Sequence, residues 1–416
     1  TGMPQLTLET GSSDAVVDYT SGSGDTTLTF NYTVASLHTN SDLDYASTGA
    51  LALNSGTIND AAGNNATLTL ASPSATNSLG ANKALIIDTT VPTVSAVTAT
   101  TTDGSYKAAD VIAITVTFSE AVTVTGTPQL TLETGSTDAV VDYASGSGGT
   151  TLTFNYTIAS GENSNDLDYV STSALALNSG TILDAAGNAA TLTLAESGAE
   201  NSISTSKSLI IDTTAPTISS VSEGTATSTT ATDVDYQNVA DTLVISWTGS
   251  DSGSGISAYE YALGTSTGAT DAITWTSAGT TTADTLTGLS LTEGTTYYLS
   301  VRATDVAGNI SSVSSADGIT IDLTAPLGTA VSDGTGDDIA YTGSDTTLSA
   351  NWTAFTEAVS GIQKYEYTIG TTSGGTDVVT WTDNSTTTSV TKTGLTLSNG
   401  SAYYISVRAT DNAGNV

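Results

Sequence analysis

Acidic residues recur at fixed places along this chain, in patterns that suit the binding of a cation. Three of them stand between a short apolar run and a proline, in IIDTTVP, IIDTTAP and IDLTAP: Asp88, Asp212 and Asp322. Four others open the sequence Asp-x-Ala-Gly-Asn: Asp60, Asp184, Asp305 and Asp411. A further three lie at the ends of strand-like runs: Glu120 in FSEAV, Asp251 in WTGSDSGSGI and its counterpart Glu357 in WTAFTEAVSGI. Carboxylate and carbonyl oxygens are the ligands that Ca²⁺ prefers, in sets of about six to eight.

These ten residues predict calcium sites at the ends of domains, where linkers and loops converge. Carboxylates held together without a cation would raise one another's pKa and destabilise the loops that carry them. The competing interpretation is ordinary turn chemistry, because Asp and Asn favour turns by bonding to local backbone groups. No EF-hand loop of the form D-x-D-x-D-G occurs, so both interpretations stay open.

Groups that could perform catalysis are few. The sequence DLDY occurs twice and places two carboxylates one residue apart: Asp42 and Asp44, then Asp166 and Asp168. Such pairs can act as acid and base, but we expect a solvated face or a turn.

The single histidine, His38, has Glu162 as its counterpart in the second copy, so we expect an exposed loop with no shared task. Without a Cys, a His cluster or a nucleophile–base pair, we expect no enzyme in these residues.

The charge of the chain is strongly negative, with 42 acidic against 7 basic residues and a formal net charge of −35. Nucleic acids need Lys and Arg for their phosphates, so we exclude them as partners. Insertion of this segment into a membrane is not expected either, because no apolar run is long enough to span one. Self-repulsion opposes compaction, and bound divalent cations would relieve it.

Two internal repeats organise the chain. Residues 1–92 align with residues 125–216 without a gap, and 68 of the 92 positions are identical. A different repeat follows, in which Trp247 returns as Trp352 within matching sequence. Periods of this length indicate whole domains rather than solenoid units. With the proline linkers as boundaries, they predict four domains, here called modules 1 to 4: residues 1–91, 92–215, 216–325 and 326–416.

Each module is predicted to be an antiparallel β-sandwich, so the fold class is all-β. Apolar residues alternate along VIAITVTF in module 2: Ile112, Ile114, Val116 and Phe118. Such alternation is typical of a strand with one buried face. Abundant Thr favours strands, whereas Gly, Asn and Asp favour the turns between them. About seven such strands per module fit a sandwich.

Only module 2 is expected to be a complete copy of the first repeat. Module 1 has no counterpart of residues 93–124, and module 4 lacks the closing strand that follows AGN in module 3. We expect a segment of a longer array that is incomplete at both ends. Alternatively, an open module could accept a strand from a neighbouring chain.

Modules 3 and 4 resemble fibronectin type III-like domains of bacterial surface proteins. The resemblance is carried by the early-strand Trp247 and Trp352 and by the run LSLTEGTTYYLSVRATDVAGN, with Leu291, Gly294 and Tyr297 at the usual places. It implies that this Tyr is a core residue that bonds a strand corner. In module 4 the same places hold Leu397, Gly400 and Tyr403.

Modules 1 and 2 resemble bacterial immunoglobulin-like repeats, on the evidence of TFSEAV, DAAGN and the DTTAP linker. Such repeats occur in giant secreted adhesins, swimming-related surface proteins and surface-layer-associated proteins. The resemblance implies an extracellular or cell-surface location, and calcium at the junctions that turns the array into a rigid rod.

The predicted function is a structural or adhesive stalk, in which each module contacts its neighbours along the chain. One alternative is a subunit of a filament, sheath or surface layer that assembles with identical chains. Another is a module that binds glycans or a host surface, for which Trp275 and Trp381 could stack on sugars. We favour packing at a sandwich edge for these two residues.

Overall fold

The computed structural model describes residues 2–226 and 231–416 of the chain. Contacts divide it into two compact units, Thr1–Asp212 and Thr213–Val416. Almost all regular structure in the described residues is β, and the strands pair antiparallel except for two short parallel pairs. This confirms the all-β antiparallel class. None of the described helices is both long and apolar enough to cross a membrane.

The first half of the first unit forms a small sheet. Its elements are β1 (Gln5–Leu8), β2 (Ala15–Ser21), β3 (Thr29–Phe30), β4 (Leu51–Ala52) and the helical turn α1 (Leu79–Asn82). The strands lie in the order β3-β2-β1-β4. Apolar residues of this segment, including Leu8, Val17 and Tyr45, pack together as its core.

The second half of the first unit forms an eight-stranded sheet and a separate two-stranded sheet. Its elements are β5 (Val94–Ala99), β6 (Gly104–Tyr106), β7 (Val111–Thr125), β8 (Gln129–Glu133), β9 (Ala139–Ser145), β10 (Gly149–Thr157), β11 (Asp168–Tyr169), β12 (Leu175–Ala176), β13 (Thr181–Leu183), α2 (Ile203–Ser206) and β14 (Leu209–Ile211). The main path is β11-β8-β9-β10-β7-β13, with β5 on β7 and β12 on β8, while β14 pairs in parallel with β6. The alternating residues predicted to point inward on β7 are buried, which confirms that strand.

The two copies of the first repeat differ in one neighbouring strand, β7, which pairs with the second copy only. In the second copy β10 lies between β9 and β7, and its Phe154 and Tyr156 are buried. In the first copy β3 lies at the edge of its sheet with β2 beside it, and Phe30 and Tyr32 are only partly buried. Nearly identical sequences therefore reach different degrees of burial, because β7 covers only one of them.

The second unit contains four sheets. Its strands are β15 (Thr217–Ala226), β16 (Ala231–Asp233), β17 (Tyr236–Gln237), β18 (Thr242–Ser250), β19 (Ile256–Gly264), β20 (Ile273–Gly279), β21 (Ala283–Thr287), β22 (Thr296–Asp305), β23 (Ser314–Ser315), β24 (Ile319–Ile321), β25 (Val331–Asp333), β26 (Thr347–Trp352), β27 (Ile362–Gly370), β28 (Val379–Asp383), β29 (Ser389–Thr393) and β30 (Tyr404–Asp411). The sheets run β16-β15-β18-β21, β17-β24-β22-β19-β20, β25-β26-β29 and β28-β27-β30, with β23 on β22.

Aromatic residues build the cores of this unit between facing sheets. Trp247 on β18 packs against Tyr259 and Tyr261 on β19, each with ring centroids 5.9 Å apart. In the later repeat Trp352 packs against Tyr365 at 5.7 Å. These contacts place both tryptophans in the interior, as the fibronectin-like resemblance implies.

The first tyrosine of each of the GTTYY and GSAYY runs bonds a strand corner. The Tyr297 hydroxyl accepts the Thr292 backbone N–H at 3.1 Å, and the Tyr403 hydroxyl accepts that of Ser398 at 2.8 Å. The corner role implied by the resemblance is therefore present in both repeats.

Each cluster of buried apolar side chains stays within one predicted module. The clusters draw on residues 6–87, 94–211, 218–321 and 331–409, with two clusters in the last range. The contacts themselves separate only the two units, so the four module boundaries stay a prediction.

Candidate metal centres

Every Asp-x-Ala-Gly-Asn sequence forms the same closed turn. In the second copy, Asp184 Oδ1 accepts the Asn188 backbone N–H at 2.8 Å and Oδ2 accepts the Asn188 side-chain amide at 2.7 Å. The same pair of bonds recurs at three more turns: Asp60 with Asn64, Asp305 with Asn309 and Asp411 with Asn415. Turn chemistry is therefore present at all four aspartates.

These bonds also control ionisation. The Asn64 side chain is the main cause of the lowered pKa of Asp60. Burial acts to raise the pKa of Asp184, but the hydrogen bonds from Asn188, Gly187 and Ala186 together lower the pKa overall. Both carboxylates are consequently held in one orientation and ionised at neutral pH.

The first unit brings three of the predicted ligands together. Asp88, Glu120 and Asp184 each offer a carboxylate oxygen, and these atoms lie within 4.8 Å of one another. Glu120 lies on β7, whereas Asp184 follows β13 directly. The Asn188 side-chain amide also donates to the backbone carbonyl of Asp88 at 3.1 Å. The turn thereby holds the linker against the other two carboxylates, and we call this group linker cluster 1.

Linker cluster 1 carries uncompensated negative charge. The pKa of Glu120 is raised, first by burial and then by the charges of Asp88 and Asp184. A hard divalent cation among these oxygens would reverse that effect, because it favours the charged form of every carboxylate around it.

The second unit contains a matching group, linker cluster 2. Asp322, Glu357 and Asp411 have carboxylate oxygens within 4.8 Å of one another, and Asp322 and Asp411 are fully buried. The Asn415 side-chain amide donates to the backbone carbonyl of Asp322 at 2.9 Å, as Asn188 does in cluster 1.

Two backbone amides of one loop bond carboxylate oxygens of linker cluster 2. Ser360 N–H donates to Asp322 Oδ2 at 3.2 Å, and Val359 N–H donates to Glu357 Oε1 at 2.7 Å. Both carboxylates are thus oriented by the loop that carries Glu357.

Four predicted ligands lie outside these two clusters. In the second unit, Asp251 and Asp305 have carboxylate oxygens within 4.8 Å of each other, and Asp251 Oδ2 accepts the backbone N–H of Gly255 at 2.7 Å. In the first unit, Asp212 follows β14 and its backbone N–H bonds Tyr106 O at 2.8 Å. Asp60 forms its turn but joins no group of three metal-ligating side chains in the described part of the chain.

The expectation that the DLDY carboxylates lie on a solvated face or in a turn is wrong for one member of each pair. Asp42 and Asp166 are exposed, but Asp44 and Asp168 are buried. Asp168 accepts bonds from the backbone amides of Tyr169, Gly198 and Ile203 and the hydroxyls of Ser197 and Ser204. It fixes the loop that leads into α2, so its role is structural.

The expectation that His38 and Glu162 share no task is also wrong. His38 Nδ1 accepts the Ala35 backbone N–H at 3.3 Å and bonds the Tyr32 hydroxyl at 2.7 Å. Glu162 Oε2 accepts the corresponding groups, Ala159 N–H and the Tyr156 hydroxyl, at 2.7 Å each. Two different side chains therefore anchor the same loop.

The tryptophans considered for sugar stacking are covered by arginine. The Arg302 guanidinium lies 4.4 Å from the Trp275 ring centroid, and Arg408 lies 4.5 Å from that of Trp381. Arg302 Nε also bonds Glu260 at 2.8 Å, which holds it in place. A sugar would have to displace this guanidinium from the ring face that it covers, which favours packing on the sheet over a glycan platform.

Sequence reasoning missed one buried carboxyl, Glu223 on β15. The available signal was the strand alternation in TISSVSEG, which puts Glu223 on the same face as Val221. That face pairs with β18 opposite Trp247 and Ile245.

Comparison with known proteins finds partial similarities. No protein-family model matches the chain. Exoglucanase B of Cellulomonas fimi is 35% identical over 218 residues, which cover 51% of this chain and 17% of that protein. Chitinase A1 of Niallia circulans is 32% identical over 208 residues, which cover 50% of this chain and 25% of that protein. The chain therefore matches a quarter or less of the length of each of these curated relatives.

Solved structures with some similarity include two sets of tandem domains. The FN1–FN3 domains of chicken CNTN1 are 14% identical with a TM-score of 0.29, over 77% of this chain and 94% of that one. Domains A168–A170 of titin are 10% identical with a TM-score of 0.31, over 78% and 94%. Scores this low support no argument about function.

Proposed function

We propose that this chain is a non-catalytic spacer segment of a large secreted bacterial protein, stiffened by Ca²⁺ at its linker clusters. The observation that carries the proposal is the repetition of one arrangement in both units. In each, a linker Asp, a loop or strand Glu and a turn Asp converge, and the turn Asn bonds the linker carbonyl.

The chemistry of these clusters suits calcium. Ca²⁺ takes oxygen ligands from carboxylates, carbonyls and water in a flexible geometry, and each cluster supplies three carboxylates. An ion would link a linker residue to two other segments of the same unit, so it would resist bending of the chain at that point. In this proposal, extracellular calcium regulates the stiffness of the chain.

The curated relatives favour a second candidate for the whole protein. Exoglucanase B and Chitinase A1 are named as enzymes that act on polysaccharides, and half of this chain is similar to part of each. The spacer could then separate the domains of a polysaccharide hydrolase instead of forming an adhesive stalk. Both candidates assign the same mechanical work to these residues, and a search for hydrolase sequence in the full-length protein would separate them.

The test compares thermal unfolding with calcium and with a chelator. At a calcium concentration of about 100 times Kd, binding adds about 2.7 kcal/mol, which for a unit of this size is roughly 5–10 °C in Tm. Asp184→Asn should remove the contribution of linker cluster 1 to the calcium response of the first unit, and Asp411→Asn should remove that of linker cluster 2 to the response of the second unit, with the other unit serving as the internal reference.

Asp60→Asn is the matched control, because residues 60–64 and 184–188 have the same sequence, DAAGN. It alters the same turn but no cluster, so the calcium response should stay at the wild-type value. An equal response in wild type and Asp184→Asn, or no response in wild type, would refute calcium binding at linker cluster 1.

A further inference from the structure

Glu223 is a carboxyl group enclosed in the sandwich of the second unit. It lies on β15 opposite Ile245 of β18 and is 0% exposed. Its Oε1 accepts the Gly318 backbone N–H at 3.0 Å, whereas its buried Oε2 has no hydrogen-bond partner among the described residues. The carboxyl therefore replaces the water that it loses on folding by a single polar contact.

Two exposed acidic residues adjoin this carboxyl. Asp233 on β16 pairs with Gly224, the next residue after Glu223, and Asp317 directly precedes Gly318. Both charges act on Glu223 and disfavour its ionised form. Like charges near a buried carboxyl have the same effect as burial itself, because each favours the neutral form.

The other elements packed against β15 supply no compensating positive charge. Neither β18 nor β23 carries a titratable side chain, and β17 carries only a tyrosine, Tyr236. The titratable residues of β22 are Tyr297, Tyr298, Arg302 and Asp305. Arg302 is engaged with Glu260 at 2.8 Å, and residues 208–301 and 303–363 contain no Lys, Arg or His.

A proton removes the most costly feature of this site, which is a negative charge in the core. The neutral carboxyl still accepts the Gly318 N–H through Oε1. Burial, followed by the charges of Asp233 and Asp317, raises the pKa of Glu223 to about 8, against the opposing effect of the Gly318 amide. The folded unit therefore holds the neutral form at neutral pH.

We propose that Glu223 is a pH-sensitive contact, whose ionisation in mildly alkaline solution loosens β15 from the loop at residues 317–318. The charged form would face the charges of Asp233 and Asp317, with one backbone amide to stabilise it. This device is independent of calcium and of the linker clusters.

Gly318 fixes the loop at this contact. Its φ is +105°, and a Cβ there would lie 2.8 Å from Tyr298 Cε1. Only glycine tolerates both conditions. The same close approach that lets its amide bond Glu223 also keeps the charge of Asp317 near the carboxyl, so the loop contains both the partner of the neutral form and a group that repels the charged form.

Glu223 should make the second unit less stable as the pH rises. Its unfolded pKa is about 4.3, and its folded pKa is raised to about 8. A raised folded value gives stability that is fully present below the unfolded value and is lost as the pH rises through the folded value. In that window this group should raise the unfolding equilibrium constant by up to about tenfold per pH unit.

The test follows urea unfolding of the full chain by tryptophan fluorescence, in EDTA, from about pH 5 to about pH 9. All four tryptophans lie in the second unit, so the signal reports that unit: Trp247, Trp275, Trp352 and Trp381. Glu223→Gln keeps the size of the side chain but cannot ionise. The ratio of the unfolding constants of wild type and Glu223→Gln should rise about a hundredfold from pH 5 to pH 8, and a ratio that does not change with pH would overturn the proposal.

Carbon-13 NMR of the folded chain, labelled at the glutamate carboxyls, provides a second measurement that needs no Glu223 variant. We expect one glutamate resonance to titrate near pH 8, and to titrate at lower pH in Asp317→Asn, which removes one of the repelling charges from an exposed position. Asp241→Asn removes an exposed charge of the same sandwich that does not act on Glu223 and should match wild type. If no glutamate titrates above about pH 6, the proposal is wrong.

Discussion

At the scale of single residues, one asparagine per turn performs two tasks. Asn188 orients both oxygens of Asp184 and also bonds the backbone carbonyl of Asp88. Asn64 performs only the first task, on Asp60. Turn chemistry and ligand placement are therefore compatible, since the turn is what presents the carboxylate to the linker.

Asp168 should be essential to the stability of the first unit. Asp168→Asn removes one acceptor oxygen and the charge from a buried group with five donors, so we expect a loss of about 3 kcal/mol in the free energy of unfolding. Urea denaturation measures it. Asp166→Asn removes the same charge from an exposed site and should cost well under 1 kcal/mol.

The pH dependence of Asp168 has a definite sign. Burial acts to raise its pKa, but the bonds from Ser204, Gly198, Tyr169 and Ser197 lower it overall. A lowered folded pKa gives stability that is present above the unfolded value of about 3.9 and is lost as the pH falls through the folded value. The difference in free energy of unfolding between wild type and Asp168→Asn should therefore shrink as the pH falls below about 4.

The loop anchored by His38 should accept glutamate. His38→Glu provides the acceptor that Glu162 supplies in the second copy, so we expect the free energy of unfolding to change by less than about 0.5 kcal/mol. His38→Ala leaves the Tyr32 hydroxyl and the Ala35 amide without their acceptor and should cost about 1–2 kcal/mol. Equal losses in the two variants would contradict the shared role.

At the scale of elements, neighbours rather than sequence decide how much a strand contributes. The run LTFNY is identical in the two copies. In the second copy it pairs with β7 and β9, whereas in the first copy the strand is two residues long. Burial of apolar area, which provides most of the stabilisation, follows the presence of β7.

This difference predicts unequal effects of one substitution. Phe154→Ala removes a 0% exposed side chain and should cost about 3–5 kcal/mol. Phe30→Ala, at the matching place on the edge strand β3, should cost less than half as much, since the ring is already partly exposed. Hydrogen exchange resolved by peptide reports each segment separately, and equal losses of protection would contradict the role of β7.

At the scale of the whole molecule, the net charge of −35 acts against compaction. After burial, the charges of nearby carboxylates contribute to the raised pKa values of Glu120 and Glu223. Screening and specific cation binding should therefore stabilise the chain by different amounts.

Sodium chloride separates these two contributions. In the presence of a chelator, raising the salt from about 0.01 M to 0.15 M shortens the Debye length from roughly 30 Å to 8 Å, so Tm should rise. Millimolar Ca²⁺ added at the higher salt should raise it again. A calcium effect that vanishes at 0.15 M salt would show screening rather than ligand binding.

The sequence by itself determined the all-β class and the inward face of β7, because alternation acts over short range. The corner role of Tyr297 was implied by the resemblance to fibronectin type III-like domains. It also identified the acidic residues of both linker clusters, since repetition marked them. Only the tertiary structure decided which carboxylates meet: Asp60 and Asp184 share one local sequence, but only Asp184 has Glu120 and Asp88 beside it. The burial of Asp168 and Glu223 was likewise set by long-range packing, which is the contact of segments far apart in the chain.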